Sequence, residues 1–139
     1  MLHLLKMCVG CESVDSLAQF QNDRHLRGEP NVHLTRNFPK RSKEILDGGS
    51  LYWIVKGQIR VRQRILALES IEVPEGGRFC AINLDMKLAR VVPQPCRPMQ
   101  GWRYLDAADA PPDTGLDQID QPDEMPASMV QELKALGLL

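Results

Sequence analysis

Ser50-Leu51-Tyr52-Trp53-Ile54-Val55-Lys56-Gly57-Gln58-Ile59-Arg60-Val61-Arg62-Gln63-Arg64-Ile65 decides the fold. Its first half is aromatic and β-branched, a composition that packs well on a pleated, half-buried surface. Gly57 marks a turn. Beyond it the chain alternates: Ile59, Val61 and Ile65 point one way, with Gln63 among them, while Arg60, Arg62 and Arg64 point the other. Two such runs around a single glycine predict a hairpin, with room for a bulge. The second run extends to Val73. Pro74-Glu75-Gly76-Gly77 makes another hairpin turn, residues 78–84 return as a strand, residues 85–87 turn again, and residues 88–92 form a last strand.

Towards the N-terminus, Leu2-His3-Leu4-Leu5-Lys6-Met7-Cys8-Val9 reads as a mostly buried strand that Gly10 ends. Ser13 is a helix N-cap, and Val14, Leu17, Ala18 and Phe20 fall near one face of the helix that follows, which fades by Gly28-Glu29-Pro30. Residues 32–36 make a brief strand. Pro39 sits at a first helical position, residues 40–46 form a short basic helix, and Asp47-Gly48-Gly49 stops it. After Val92, Pro93, Pro95 and Pro98 argue against regular structure, and residues 99–105 pack back on the body through Trp102 and Tyr104. The order predicts an α+β fold: a small, curved antiparallel β-barrel with short flanking helices and a C-terminal amphipathic helix. Residues 1–105 form the barrel domain and residues 106–127, acidic and proline-bearing, a linker or strap. Residues 128–139 form a short helix with a Ser128-x-x-Gln131 capping box and a Val130, Leu133, Leu136 stripe.

The length of 139 residues fits one domain, and a hydrophobic fraction of 43% supplies a core without staples. The net charge of −1 hides a division. Residues 1–105 carry 16 Lys and Arg against 10 Asp and Glu, and residues 106–139 carry one against eight. Such asymmetry points to an anion-facing body with a tail that screens it or docks elsewhere, or to a solvated surface and nothing more. The N-terminus lacks a basic n-region, and no apolar stretch approaches the ~18 residues of a membrane span. The expectation is a cytoplasmic protein, not on a membrane, whose four cysteines stay reduced.

The arginines on alternate positions of one strand would stand roughly 6.5–7 Å apart, a comb suited to backbone phosphates. Lys56 lies at the mouth of the same hairpin, and Arg36, Lys40, Arg41 and Lys43 extend the patch. Their alternatives are carboxylate pairing or plain solvation. Trp102, in a Gly/Pro-rich loop beside Arg103, suits a base-stacking platform, whereas Trp53 suits the core. Cys8-Val9-Gly10-Cys11 is a CxxC, but Cys80 and Cys96 are 16 residues apart and form no second one, so a zinc knuckle lacks its paired short spacings. A redox dithiol would want a βαβ setting that the strand order does not offer. His3, His25 and His33 are scattered, with His3 a satisfied core histidine. No catalytic constellation, metal or cofactor follows.

Leu2-His3-Leu4-Leu5-Lys6 with Cys8-Val9-Gly10, the stretch from Leu46 through Trp53 to Leu66, and Gln100-Gly101-Trp102-Arg103-Tyr104-Leu105 together resemble the bacterial "domain of unknown function 1489" family, over about residues 1–115. More remotely, the layout of first strand, Ser13-Val14-Asp15-Ser16-Leu17, Arg36-Asn37, short helix, Gly49 and Tyr52-Trp53 is similar to EVE domains of the PUA-like (ASCH) group. That resemblance implies a curved β-barrel, recognition of RNA or a modified base in a cleft between helices and barrel, and pocket positions at Arg36, Asn37 and Trp53. The early Ser-x-Pro of the EVE pattern stands here as Cys8-Val9-Gly10-Cys11. Two readings result: a non-catalytic module for RNA or a modified nucleotide, or a protein-interaction module working through residues 106–139. An enzyme would need a perturbed carboxylate or lysine in the cleft, with Glu44 and Lys43 nearest.

Overall fold

A computed structural model describes residues 1–114. Eight regular elements follow in the order β1 (Leu2–Met7), α1 (Val14–Leu26), β2 (Val32–Thr35), α2 (Ser42–Leu46), β3 (Ser50–Val55), β4 (Gln58–Val73), β5 (Gly77–Pro95) and β6 (Trp102–Asp106). The strands form one six-stranded sheet ordered β2-β5-β4-β3-β1-β6. It is not the expected closed antiparallel barrel. Its edges, β2 and β6, share no ladder, and β1 pairs with β3 in parallel, Leu4 beside Leu51 and Lys6 beside Trp53. The parallel pair arises because the chain leaves β1 through α1, lays β2 on the far edge and returns through α2, a crossover no hairpin can replace.

The sheet is open but strongly curled. His33 on edge strand β2 meets Trp53 on β3 edge-to-face at 5.2 Å between ring centroids. Trp102 on the opposite edge donates its indole N–H to the carbonyl of Asn37, just past β2, at 2.7 Å. The concave side holds the main core, including Leu2, Leu4, Leu51, Trp53, Val61, Ile65 and Ile82, capped by Val14 and Leu17 of α1 and Ile45 of α2. A smaller apolar cluster on the other side joins Leu5, Tyr52, Ile54, Ile59, Val91 and Leu105. Gly49 sits where α2 meets β1: a side chain there would strike the carbonyls of Leu2 and Ile45, so only glycine permits the approach.

Several local expectations change. Ile59 does not share a face with Val61 and Ile65. Tyr52 and Trp53 pair with Arg62 and Val61, but Ile54 pairs with Ile59, so Arg60 is the extra residue of a β-bulge and reverses the alternation. β5 runs unbroken through residues 85–87, where a turn was expected, because two residues of β4 are spanned by four of β5 (Gln63 opposite Leu88, Ile65 opposite Leu84). The bulge turns the Asp85 carbonyl inward, where Gln63 and Asn31 donate to it. Pro93 and Pro95 lie within β5, beyond the stretch that pairs with β2, where a missing N–H breaks no ladder bond on that side. α2 begins at Ser42 rather than residue 40, and residues 102–106 form a strand on β1 rather than a loop. Ser13 caps α1 as expected, its hydroxyl accepting from Ser16 N–H at 3.1 Å. Phe20, however, is exposed, and Gln21 takes the inward place.

That place is polar by design of the curl. Gln63, 0% exposed, accepts from Trp53 Nε1 at 3.0 Å and forms a reciprocal amide pair with Gln21, at 2.6 and 3.1 Å. Its second N–H reaches Asp85 O at 2.7 Å. Replacing Gln63 by Met keeps the volume but takes the acceptor from the Trp53 indole N–H and from the Gln21 amide N–H, and leaves the Asp85 carbonyl and the Gln21 oxygen to Asn31 alone. The expected cost is about 2–4 kcal/mol. Urea denaturation of Gln63→Met against the wild type checks it, and a loss under about 0.5 kcal/mol would mean that water replaces the lost partner.

Candidate ligand site

Two surfaces carry charge and aromatic character, one on each side of the sheet. The convex side holds the expected arginine face. Arg62 lies opposite Tyr52 and is clamped: Asp113 accepts from its Nε at 2.8 Å and its Nη2 at 2.7 Å, and Ser50 Oγ accepts from Nη1 at 3.2 Å. Asp113 comes from the strap, which bridges to Val91 of β5 after a 3-10 turn at Ala107–Asp109. The hydrogen bonds from Arg62 hold the Asp113 carboxyl below the usual carboxylate range. Arg64 is exposed at the rim of the same groove, together with His3 and Pro112. His3 is buried and accepts from the Ser50 amide at 3.0 Å, and burial, then Arg62 and the N-terminus, lower its pKa from the usual histidine value.

The remaining basic candidates scatter. Arg60 is half-buried in the bulge, out of step with Arg62 and Arg64. Lys56, in the β3–β4 turn with a left-handed φ of 51°, pairs with Glu12 at 2.8 Å. Arg36 lies at the β4–β5 hairpin, donating to Gly76 O at 2.9 Å with its guanidinium 4.5 Å from the Phe79 ring centroid. Arg41 is held by Glu44 in a two-bond pair and stacks near Tyr104. Lys40 and Arg103 are exposed. Trp102 is half-buried against the concave core and meets Tyr104 edge-on, so it stands on the opposite side of the sheet from Arg62. The comb and its platform therefore do not converge. Glu44 is exposed and held below the usual carboxylate range by its bonds from Arg41, the wrong direction for a general acid.

The concave side offers a better-formed site. A cavity of about 130 Å³ opens between α1, β1 and β2, with Trp53 as its inner wall. Trp53 is 3% exposed, its ring fixed by Gln63 and by the edge contact of His33. Lys6, Gln21 and Arg24 line the walls, and Phe20, 60% exposed, stands at the mouth. Two polar atoms of this lining, Arg24 Nε and His33 Nε2, are buried with no hydrogen-bond partner among the described residues. Buried polar groups are paired almost everywhere in proteins, so two orphans on one cavity single it out as the candidate site. Burial, then the charges of Lys6 and Arg24, push the His33 pKa down to about 4. Burial also lowers Lys6. The pocket thus presents a neutral imidazole and two cationic donors around an aromatic wall.

Of the expected site residues only Trp53 belongs to this pocket, with Arg36 and Asn37 outside it. Lys6, Gln21, Arg24 and His33 were not singled out from sequence as binding residues. The available signal was Gln63, a polar residue in an otherwise apolar inward row. The cysteine expectation is corrected as well: Cys8 and Cys11 are disulfide-bonded, while Cys80 is buried and Cys96 half-buried. Among the described residues no three His, Cys, Asp or Glu side chains gather as a metal site, and no helix is long and apolar enough to cross a membrane. The C-terminal helix expected at 128–139, and residues 115–127 of the strap, lie outside the described residues.

Fold and site together define an α+β protein built on a curled, open mixed sheet with a small aromatic-walled pocket under its first helix. Residues 4–139 match a family described as a protein of unknown function (DUF1489), and the chain belongs to that family. No curated protein and no solved structure matches it.

The neutral His33 makes stability pH-dependent. Its folded pKa, about 4, lies below the unfolded value near 6.5, so its contribution is complete above pH 6.5 and is lost as pH falls towards 4. The loss reaches about 3 kcal/mol below pH 4, and His3, lowered in the same direction, adds to it. Denaturation midpoints between pH 7 and 4 should therefore fall more steeply for the wild type than for His33→Asn. Parallel curves would show that His33 titrates as it does in the unfolded chain.

Proposed function

We propose that this chain is a non-catalytic module that binds RNA or a modified nucleotide, with the base seated in the concave pocket rather than on the arginine face. What carries the reading is the pair of unpartnered buried atoms, Arg24 Nε and His33 Nε2, on a cavity walled by Trp53. A nucleobase supplies what they lack: a flat apolar face for the indole and in-plane acceptors and donors at its edge. The volume, about 130 Å³, suits one ring system and falls well short of the roughly 300 Å³ at which whole drug-sized ligands begin to fit. Ribose and phosphate would then remain outside, near the cationic ends of Lys6 and Arg24 and the exposed Phe20 ring.

The arginine face is a secondary surface in this reading. Asp113 occupies the guanidinium of Arg62 as a phosphate would, so strap and polyanion compete there. The rival reading, a protein-interaction module acting through residues 106–139, draws on the acidic tail beyond that contact. The clamp favours the first reading for the body.

Titration with single-stranded oligoribonucleotides, followed by Trp53 emission in a Trp102→Phe background, tests the assignment. Arg24→Ala and His33→Ala should each weaken binding about tenfold, the loss of one buried charged or polar contact. With two cationic contacts the logarithm of affinity should fall with the logarithm of salt at a slope of about −1.4. Asp113→Asn should raise affinity severalfold by freeing Arg62. If Arg62→Ala and Arg64→Ala abolish binding while Arg24→Ala and His33→Ala do not, the pocket is not the site.

A further inference from the structure

Cys8 and Cys11 stand at the junction of β1 and α1, on the rim of the same pocket, and their sulfurs are bonded. A disulfide that closes so short a loop constrains little of the unfolded chain, so stapling is a poor account of it. The surrounding geometry is that of a prearranged pair. The Cys8 amide is held by Ile54 O at 2.9 Å, and Cys11 N–H turns back to Cys8 O at 3.4 Å. Gly10, with φ at 82°, permits the tight turn between them. Cys8 is buried and Cys11 half-buried, so Cys11 is the more accessible residue of the two. Val9 between them is 80% exposed and Phe20 faces the same mouth, which gives an incoming thiol an apolar lip to lie on. β1 leads through the CxxC into α1 and pairs in parallel with β3, which the chain reaches only after β2 and α2, so the pair opens a helix without standing in a βαβ unit.

We propose that Cys8 and Cys11 form a thiol–disulfide exchange site that accepts two electrons from a dithiol, with Cys11 as the sulfur attacked. A thiolate of the dithiol attacks Cys11 Sγ; the Cys8–Cys11 bond breaks, and its electron pair leaves with Cys8 Sγ as a thiolate. The second thiolate of the dithiol then attacks its own sulfur in the mixed disulfide and expels Cys11 Sγ. The dithiol ends as a disulfide, and the two protons it lost are available to the two cysteine thiolates. Lys6 and Arg24 line the pocket on which Cys8 borders and place positive charge on the side where the leaving thiolate forms. Cys80 takes no part: it is buried, with its thiol pushed up to about 11 by desolvation. This inference does not depend on the nucleotide reading, since it requires only the pair and its access.

The test is a redox titration of the full-length chain in mixtures of reduced and oxidised dithiothreitol, with sites mapped by differential alkylation and mass spectrometry. Cys8 and Cys11 should convert together, reversibly, in one two-electron transition of the folded protein, while Cys80 stays a free thiol throughout. With oxidised glutathione, Cys8→Ser should form a mixed disulfide at Cys11 roughly tenfold or more faster than Cys11→Ser forms one at Cys8, following the difference in access. Circular dichroism before and after reduction reports whether the fold persists. The proposal is overturned if the pair resists dithiothreitol until the chain unfolds, if it stays reduced in the oxidised buffer, or if the two variants react at equal rates. Should a variant misfold, the wild-type titration decides alone.

Discussion

The side-chain amide of Gln63 holds the curl of the sheet. It is fully buried, sits in a row otherwise made of Val61 and Ile65, and satisfies three separate elements at once. Trp53 Nε1 donates to it from β3, the Gln21 amide pairs with it from α1, and it donates to the Asp85 carbonyl in the bulge of β5. Without it the Trp53 indole N–H would be an orphan, and an orphan in a low-dielectric interior costs more than an ordinary hydrogen bond gains. An apolar residue at this position would let α1 pack in several rotations against the concave face. The amide cycle admits one, and that rotation is the one that puts Gln21 inside and Phe20 at the pocket mouth.

From this constraint the two sides of the sheet acquire different chemistry. On the concave side the fixed Trp53 ring leaves a gap towards α1, and Lys6, Arg24 and His33 border it without using up their hydrogen-bonding capacity. On the convex side the basic charge is real but answered. Asp113 takes two of the donors of Arg62 there, and elsewhere on the molecule Glu12 and Glu44 take Lys56 and Arg41. Exposed pairs of this kind are worth at most about 1 kcal/mol each, so they are no stabilising framework.

Much of the fold was legible in the sequence, because it rested on local signals. The 50–65 hairpin, the Ser13 cap and the strands at 2–7 and 32–35 follow from alternation, capping and glycine placement. What was not legible depended on pairing across distance. The parallel β1–β3 ladder and the edge position of β2 are set by which strand the crossover returns beside, and nothing local encodes that. The hairpin left room for a bulge, but its position at Arg60 was not legible, since one extra residue reverses a face without changing composition. The same reversal undid the arginine comb, whose spacing assumed an unbroken strand. The pocket was hidden for a related reason: Lys6, Arg24 and His33 come from three elements, each unremarkable in its own segment, and Gln63 alone stood out as polar in an apolar row.

The junction of β1 and α1 joins these threads. β1 supplies Lys6 to the pocket and then, within five residues, both cysteines of the bonded pair. The turn between them must be tight, because Cys8 is tied to β3 through Ile54 O while Ser13 fixes where α1 starts. α1 in turn carries Gln21 into the amide cycle and Arg24 to the cavity. The Cys8–Cys11 turn therefore borders directly on the start of the helix whose inward face closes the pocket. The bonded pair and the pocket thus share one joint at the end of β1, whereas the strap and the arginine face lie on the other side of the sheet.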